Sequence, residues 1–118
     1  MTSNDQDLDL NLVVLAGRLA APPEVRQFES GQSLIRYLVT TRTETPTRRV
    51  DVVPVTLHDP RPDQSEDAAS LTPGDRVWVA GSAQRRFWSQ QDGRRSQLEV
   101  VAEQVCIRQP LQSGEINA

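Results

Sequence analysis

NLVVLAGRLAAPPEVR, residues 11–26, is the stretch whose reading decides the fold. Side chains alternate along an extended strand, so Val13, Leu15, Gly17 and Leu19 share one face and Leu12, Val14 and Ala16 the other. Both faces of a strand at about 11–19 are therefore apolar. The domain's own core covers one; the second, flat and unpartnered, invites another subunit, which makes Leu12, Val14 and Ala16 the expected oligomer interface. Gly17 within the run marks a bend or bulge of the kind that lets a small barrel turn its corner. Pro22 and Pro23 then end the pairing.

Working outward, residues 1–9 read as a polar, acidic leader and 20–28 as an irregular link. A second strand at 33–43 turns Ile35, Tyr37, Val39 and Thr41 inward and Leu34, Arg36, Leu38, Thr40 and Arg42 outward. After a hydrophilic loop, a third strand at 50–58 has Val53, Val55 and Leu57 inside and Val52, Pro54, Thr56 and His58 outside. Pro54 cannot donate to a ladder, which puts this strand at an edge or a bulge there. Asp63, three residues before Glu66, has N-cap spacing for a short helix at 64–70. A fourth strand at 76–88 points Val77, Val79, Gly81 and Ala83 inward. Asp92-Gly93 is a hairpin signal, and a fifth strand follows at 94–108 with Leu98, Val100 or Val101, Val105 and Ile107 as its apolar members. Beyond Pro110 no pattern remains, so the expected domain is 10–109, with a tail at 110–118.

The 118 residues suffice for one core. No run approaches the length of a membrane span, and the acidic start lacks a signal-peptide pattern, so the reading is cytoplasmic with no membrane partner. The lone cysteine, Cys106, lies in an apolar run and is expected to be a buried structural thiol. The net charge of −3 does not announce a polyanion binder, but its distribution is informative. All 13 basic residues are arginine, the cation suited to planar, stacking and bidentate contacts, although a GC-rich genome also produces that bias. Six of them fall between residues 76 and 108, against Asp92, Glu99 and Glu103. The acidity sits largely elsewhere.

Five strands with one short helix between the third and fourth describe an all-β OB-fold, a five-stranded Greek-key barrel. A sandwich would need about seven strands. So small a barrel fills its interior with side chains, which leaves binding to its exterior.

Asn11, Val13, Leu15, Gly17, Leu19, Pro23, Glu24, Val25 and Arg26, in that order and spacing, resemble the opening of the bacterial single-stranded-DNA-binding proteins of the SSB type. The resemblance continues through Ser30-Gly31, Val53-Pro54-Val55, Pro73-Gly74, Val77-Trp78-Val79, Gly81, the Arg-Phe-Trp at 86–88 and Asp92-Gly93, covering roughly residues 10–109. It implies an OB-fold that assembles as a homotetramer or homodimer through first-strand contacts, with single-stranded DNA wrapped over outward aromatic and basic side chains. It also implies work in replication, recombination or repair near the nucleoid, without a cofactor.

Binding unpaired strands without reading sequence needs flat faces for bases and cations for phosphates. Trp88, beside the hairpin turn and next to Arg85, Arg86 and Phe87, is the foremost stacking candidate, and the resembling family stacks a base there; its alternative is to pack the hairpin on the barrel. Trp78, between Val77 and Val79, reads as core or subunit interface. Phe87 and Phe28 are each either core or platform. Arg36 and Arg42 lie outward on the second strand, Arg48 and Arg49 enter the third, and Arg94 and Arg95 are expected across the hairpin from Arg85 and Arg86. Together they would form a phosphate track.

The chain departs from the resembling family in two places. Val52 and His58 stand where that family usually carries aromatics, and the sequence ends GEINA where the family has an acidic tip that recruits replication and repair proteins. His58 has no second ligand at metal-binding spacing. The second departure keeps open another reading, a tail-less protein-interaction module of a replication-restart complex. An enzyme is disfavoured: no Ser/His/Asp set, carboxylate pair or phosphate-cradling glycine loop is present.

Overall fold

The computed structural model describes residues 8–108; most of the expected leader, and all of the tail, lie outside the described residues. The chain runs β1 (Val13–Leu19), β2 (Glu24–Gln27), β3 (Ser33–Thr43), β4 (Arg49–His58), α1 (Pro62–Ser70), β5 (Arg76–Gln90) and β6 (Gly93–Arg108). The sheet order is β1-β5-β6-β4-β3-β2, and β1 also pairs with β3 through Arg18 with Thr40 and Leu19 with Val39. That second pairing closes β1-β5-β6-β4-β3 into the expected barrel. All contacts between neighbouring strands are antiparallel except β4 with β6, which run parallel through Val55 with Val100 and Thr56 with Val101.

The interior follows the period of two. Ile35, Val39, Val55, Val77 and Val79 are almost wholly excluded from solvent, and Leu19, Tyr37, Leu57, Val100 and Ala102 pack with them. Each aliphatic side chain buried in this way stabilises the fold by about 1.5–3 kcal/mol relative to exposure. Burial, with a smaller contribution from Asp67, pushes the Tyr37 phenol up to about 12. Ala68 and Leu71, at the end of α1, cover one mouth of the barrel.

Four expectations are corrected. Residues 24–27 form a strand, β2, which extends the β1 edge of β3 from Glu24–Arg36 to Gln27–Ser33, so the helix follows the fourth strand and the sheet has six. The helix begins at Pro62, whose ring suits a first helical position, with Arg61 and not Asp63 at the N-cap; the Arg61 amide donates to Gln64 Oε1 at 2.8 Å. Cys106 is exposed, because it pairs with Trp78 on the outward parity of β6 while Val105 and Ile107 face in. The β1–β5 register runs unbroken through Gly17, and the irregularity lies instead between Ala80 and Gly81. Both glycines are needed for close approach: a side-chain carbon on Gly17 would collide with the Thr40 carbonyl, and one on Gly81 with that of Val101.

Beyond Gly81, β5 leaves the barrel. Asn11 prolongs the β1 contact by one step, donating from Nδ2 to the Ala83 carbonyl at 2.7 Å and accepting from the Ala83 amide at 2.8 Å. From Gln84 onward β5 pairs only with β6, and the two continue as a projecting arm to the turn at Gln91 and Asp92.

Candidate functional site

Strand parity sorts the exterior into faces. On β3 the outward row is Arg36, Leu38, Thr40 and Arg42; across it on β4 stand Thr56, Pro54, Val52 and Val50. Thr56 pairs with Val101 of β6, and the same face runs along the arm through Glu99, Gln97 and Arg95 on β6 and Gln84, Arg86 and Trp88 on β5.

A chain of contacts ties this face together. Thr56 Oγ1 donates to Glu99 Oε2 at 3.2 Å, Arg86 Nε lies 3.9 Å from the same oxygen, and the Arg86 guanidinium sits 5.0 Å above the Trp88 ring centroid. Glu99 is only 7% exposed, and a carboxylate so enclosed needs a cation nearby. Arg86 Nε is buried with no hydrogen-bond partner of its own, so the pair is coulombic. Arg86 thus bridges the barrel wall and the indole ring, which is half-buried with its position set by the cation on it.

The opposite face of the arm repeats the device. Arg94 lies 4.9 Å from the Phe87 ring centroid, and Arg85 donates to Ser96 Oγ at 3.2 Å. Phe87 is 54% exposed, so it is not core; Phe28 is exposed too. Arg94 and Arg95 do not stand across from Arg85 and Arg86. A two-residue turn fixes the register, placing Arg95 opposite Trp88 and Arg94 opposite Ser89, with Leu98 and Gln97 opposite Arg85 and Arg86.

Of the expected site residues, Arg36, Arg42, Arg86, Trp88 and Arg95 share one face, while Arg85, Phe87 and Arg94 share the other side of the arm. Arg48 lies in the β3–β4 loop beside Glu44, and Arg49, opposite Thr43, is on the reverse parity from Arg42. Arg49 grips Asp51 through two hydrogen bonds, 2.7 and 2.9 Å, which hold the Asp51 carboxyl below the ordinary carboxylate range. Arg95 is likewise engaged by Asp92. These exposed pairs are weak and open readily to a competing anion. Thr56 and Glu99 were missed by sequence reading; the only signal was an acid on the outward parity of a strand otherwise apolar around it.

The expected oligomer patch lies elsewhere on the exterior. Leu12, Val14 and Ala16 are exposed, and β1 sets Ala16 beside Trp78 and Val14 beside Ala80, with Cys106 next to Trp78 on β6. Trp78 is 43% exposed, so of its two readings the core is excluded. Among the described residues no cluster of His, Cys, Asp and Glu could hold a metal ion, and no helix is long and apolar enough to cross a membrane.

Residues 10–107 match the single-strand binding protein family. No curated protein matches the chain in sequence. Among solved structures, a Plasmodium falciparum SSB complex with ssDNA is similar with a TM-score of 0.74 at 16% sequence identity, over 87% of this chain and 98% of that one. At that identity the likeness is one of fold.

Proposed function

The chain belongs to the single-strand binding protein family, and from this we infer that it binds single-stranded DNA largely without regard to sequence, as a binding protein with no reaction of its own. Bases stack on Trp88, and Arg36, Arg42, Arg86 and Arg95 meet the phosphates along the same face. Phe87 with Arg85 and Arg94 offers a second, smaller platform on the reverse of the arm, and Arg48 and Arg49 join when their acids release them. Copies associate through Leu12, Val14 and Ala16, and the assembly serves replication, recombination or repair in the cytoplasm.

The observation that carries this reading is the unbroken contact from Thr56 through Glu99 and Arg86 to Trp88, on the face that also presents Arg36 and Arg42. A ring held by a cation at the margin of a basic surface is what sequence-tolerant stacking requires. Titration of the protein with oligo-dT, followed by tryptophan fluorescence at several salt concentrations, tests it. Quenching with an affinity that falls as salt rises is the expected result. A flat titration at low salt overturns the reading.

A further inference from the structure

The described arginines divide into two groups. Arg26, Arg48, Arg49, Arg61, Arg86 and Arg95 each lie within ion-pair distance of an acid. Arg18, Arg42 and Arg76 do not, among the described residues, and neither do Arg36, Arg85 and Arg94; the first three line one open groove of about 230 Å³ with Ala16, Gly17 and Thr40, where β1 passes from β5 to β3. The register makes the convergence sharper. Arg18 stands directly opposite Arg76 across β1–β5 and directly opposite Thr40 across β1–β3, two positions from Arg42. Like charges facing one another across strands, as Arg18 and Arg76 do, destabilise a sheet, and among the described residues no acid lies within ion-pair distance of either.

We propose that this groove is a phosphodiester subsite, which grips the backbone of a single strand where it runs off the end of the Trp88 face. The proposal rests on the single-strand reading. Continuity favours a nucleic-acid strand over another polyanion: Arg42 ends the outward β3 row that begins at Arg36, about 20 Å away at strand rise, so the groove prolongs that basic row around the barrel. The close approach of β1 to β3 at Gly17 brings the Arg18 and Arg42 sides of the groove together. No aromatic ring lines it, so it holds phosphates and not bases; Ala16, which it shares with the proposed association patch, makes the groove border that interface.

The test is the double variant R18Q/R76Q, which leaves Arg42 and the arm untouched, titrated with oligo-dT of increasing length over a salt series. Short oligomers, held on the Trp88 face alone, bind the variant as they bind the parent. Long ones lose about tenfold in affinity at low salt, and the slope of log affinity against log salt flattens by about 0.7 for each lost contact. The melting temperature stays level or rises, because an opposed like-charge pair has gone. Parallel salt slopes with long oligomers overturn the proposal, as does a fall in melting temperature, which would give the arginines a structural role. A polyglutamate peptide that binds the parent and not the variant, with oligo-dT binding unchanged, also overturns it and makes the groove an acidic-peptide site. If the parent itself fails to bind oligo-dT, the family-based reading fails first, a result distinct from all of these.

Discussion

Trp78 and Trp88 stand on the same strand, β5, on the same outward parity, yet in opposite company. Beside Trp78 stand Ala16, Ala80 and Cys106, with Val14 and Leu12 beyond on one side and Arg18 and Arg76 at the next positions on the other; beside Trp88 stands Arg95, with the Arg86 guanidinium over its ring. An indole among aliphatic groups gains by excluding water against another apolar surface. An indole under a guanidinium is fixed in orientation with charge at its rim, and its gain comes from a flat, electron-rich partner that also carries phosphate. On the proposed reading one strand serves two partners, and what separates them is the aliphatic row of β1 beside one ring and the guanidinium over the other.

The largest expected effect falls on the apolar side. Val14→Glu puts a carboxylate into the middle of that patch and shifts the assembly to monomer, read as mass by light scattering; an unchanged mass breaks the assignment. Trp88→Ala comes next, weakening oligo-dT binding by about 1–3 kcal/mol, the general value for one base stacked on an aromatic ring, with the melting temperature nearly constant. Early unfolding with normal affinity at low temperature would instead make Trp88 a packing residue. Glu99→Gln keeps the shape of the contact chain and removes the charge that holds Arg86. It should reduce oligo-dT affinity a few-fold and raise the mobility of the indole, seen as lower fluorescence anisotropy.

The smallest effect is at Asp51. Asp51→Asn frees Arg49 and should tighten binding less than threefold at low salt, a gain that vanishes at high salt. The same pair gives a pH signature. Arg49 lowers the Asp51 pKa, so the stability this contributes is present above the ordinary carboxylate value of about 3.9 and is lost as pH falls through the lowered one. NMR titration of the parent's Asp51 carboxyl, with acid unfolding of the parent compared with that of the Asn variant, checks the direction.

The barrel was legible because alternation in β1, β3, β4 and β5 is strong and each inward set is apolar. β2 was not: Glu24, Val25, Arg26 and Gln27 are all exposed and carry no alternation, and only the free edge of β3 makes them a strand. The candidate face was half legible. Trp88 and the arginines could be singled out by residue type, whereas which of them share a side depends on a register set by the hairpin turn. The enclosure of Glu99 under Arg86 and beside Thr56, and the meeting of Arg18 with Arg76, come from strands distant in the chain. No local pattern encodes such meetings; Cys106, by contrast, was legible, since alternation with Val105 and Ile107 already turns it outward.

The arm carries a further consequence. Between Gln84 and Glu99 each strand has only the other for support, and an isolated two-stranded ribbon is marginally stable in water. Its amides should therefore exchange with solvent far sooner than those of Val77 and Val79 in the barrel wall, while the Thr56–Glu99–Arg86 contact pins its root. On the proposed reading the protein meets an unpaired strand with a compliant finger on a rigid palm, able to follow a polymer whose own backbone has no fixed shape.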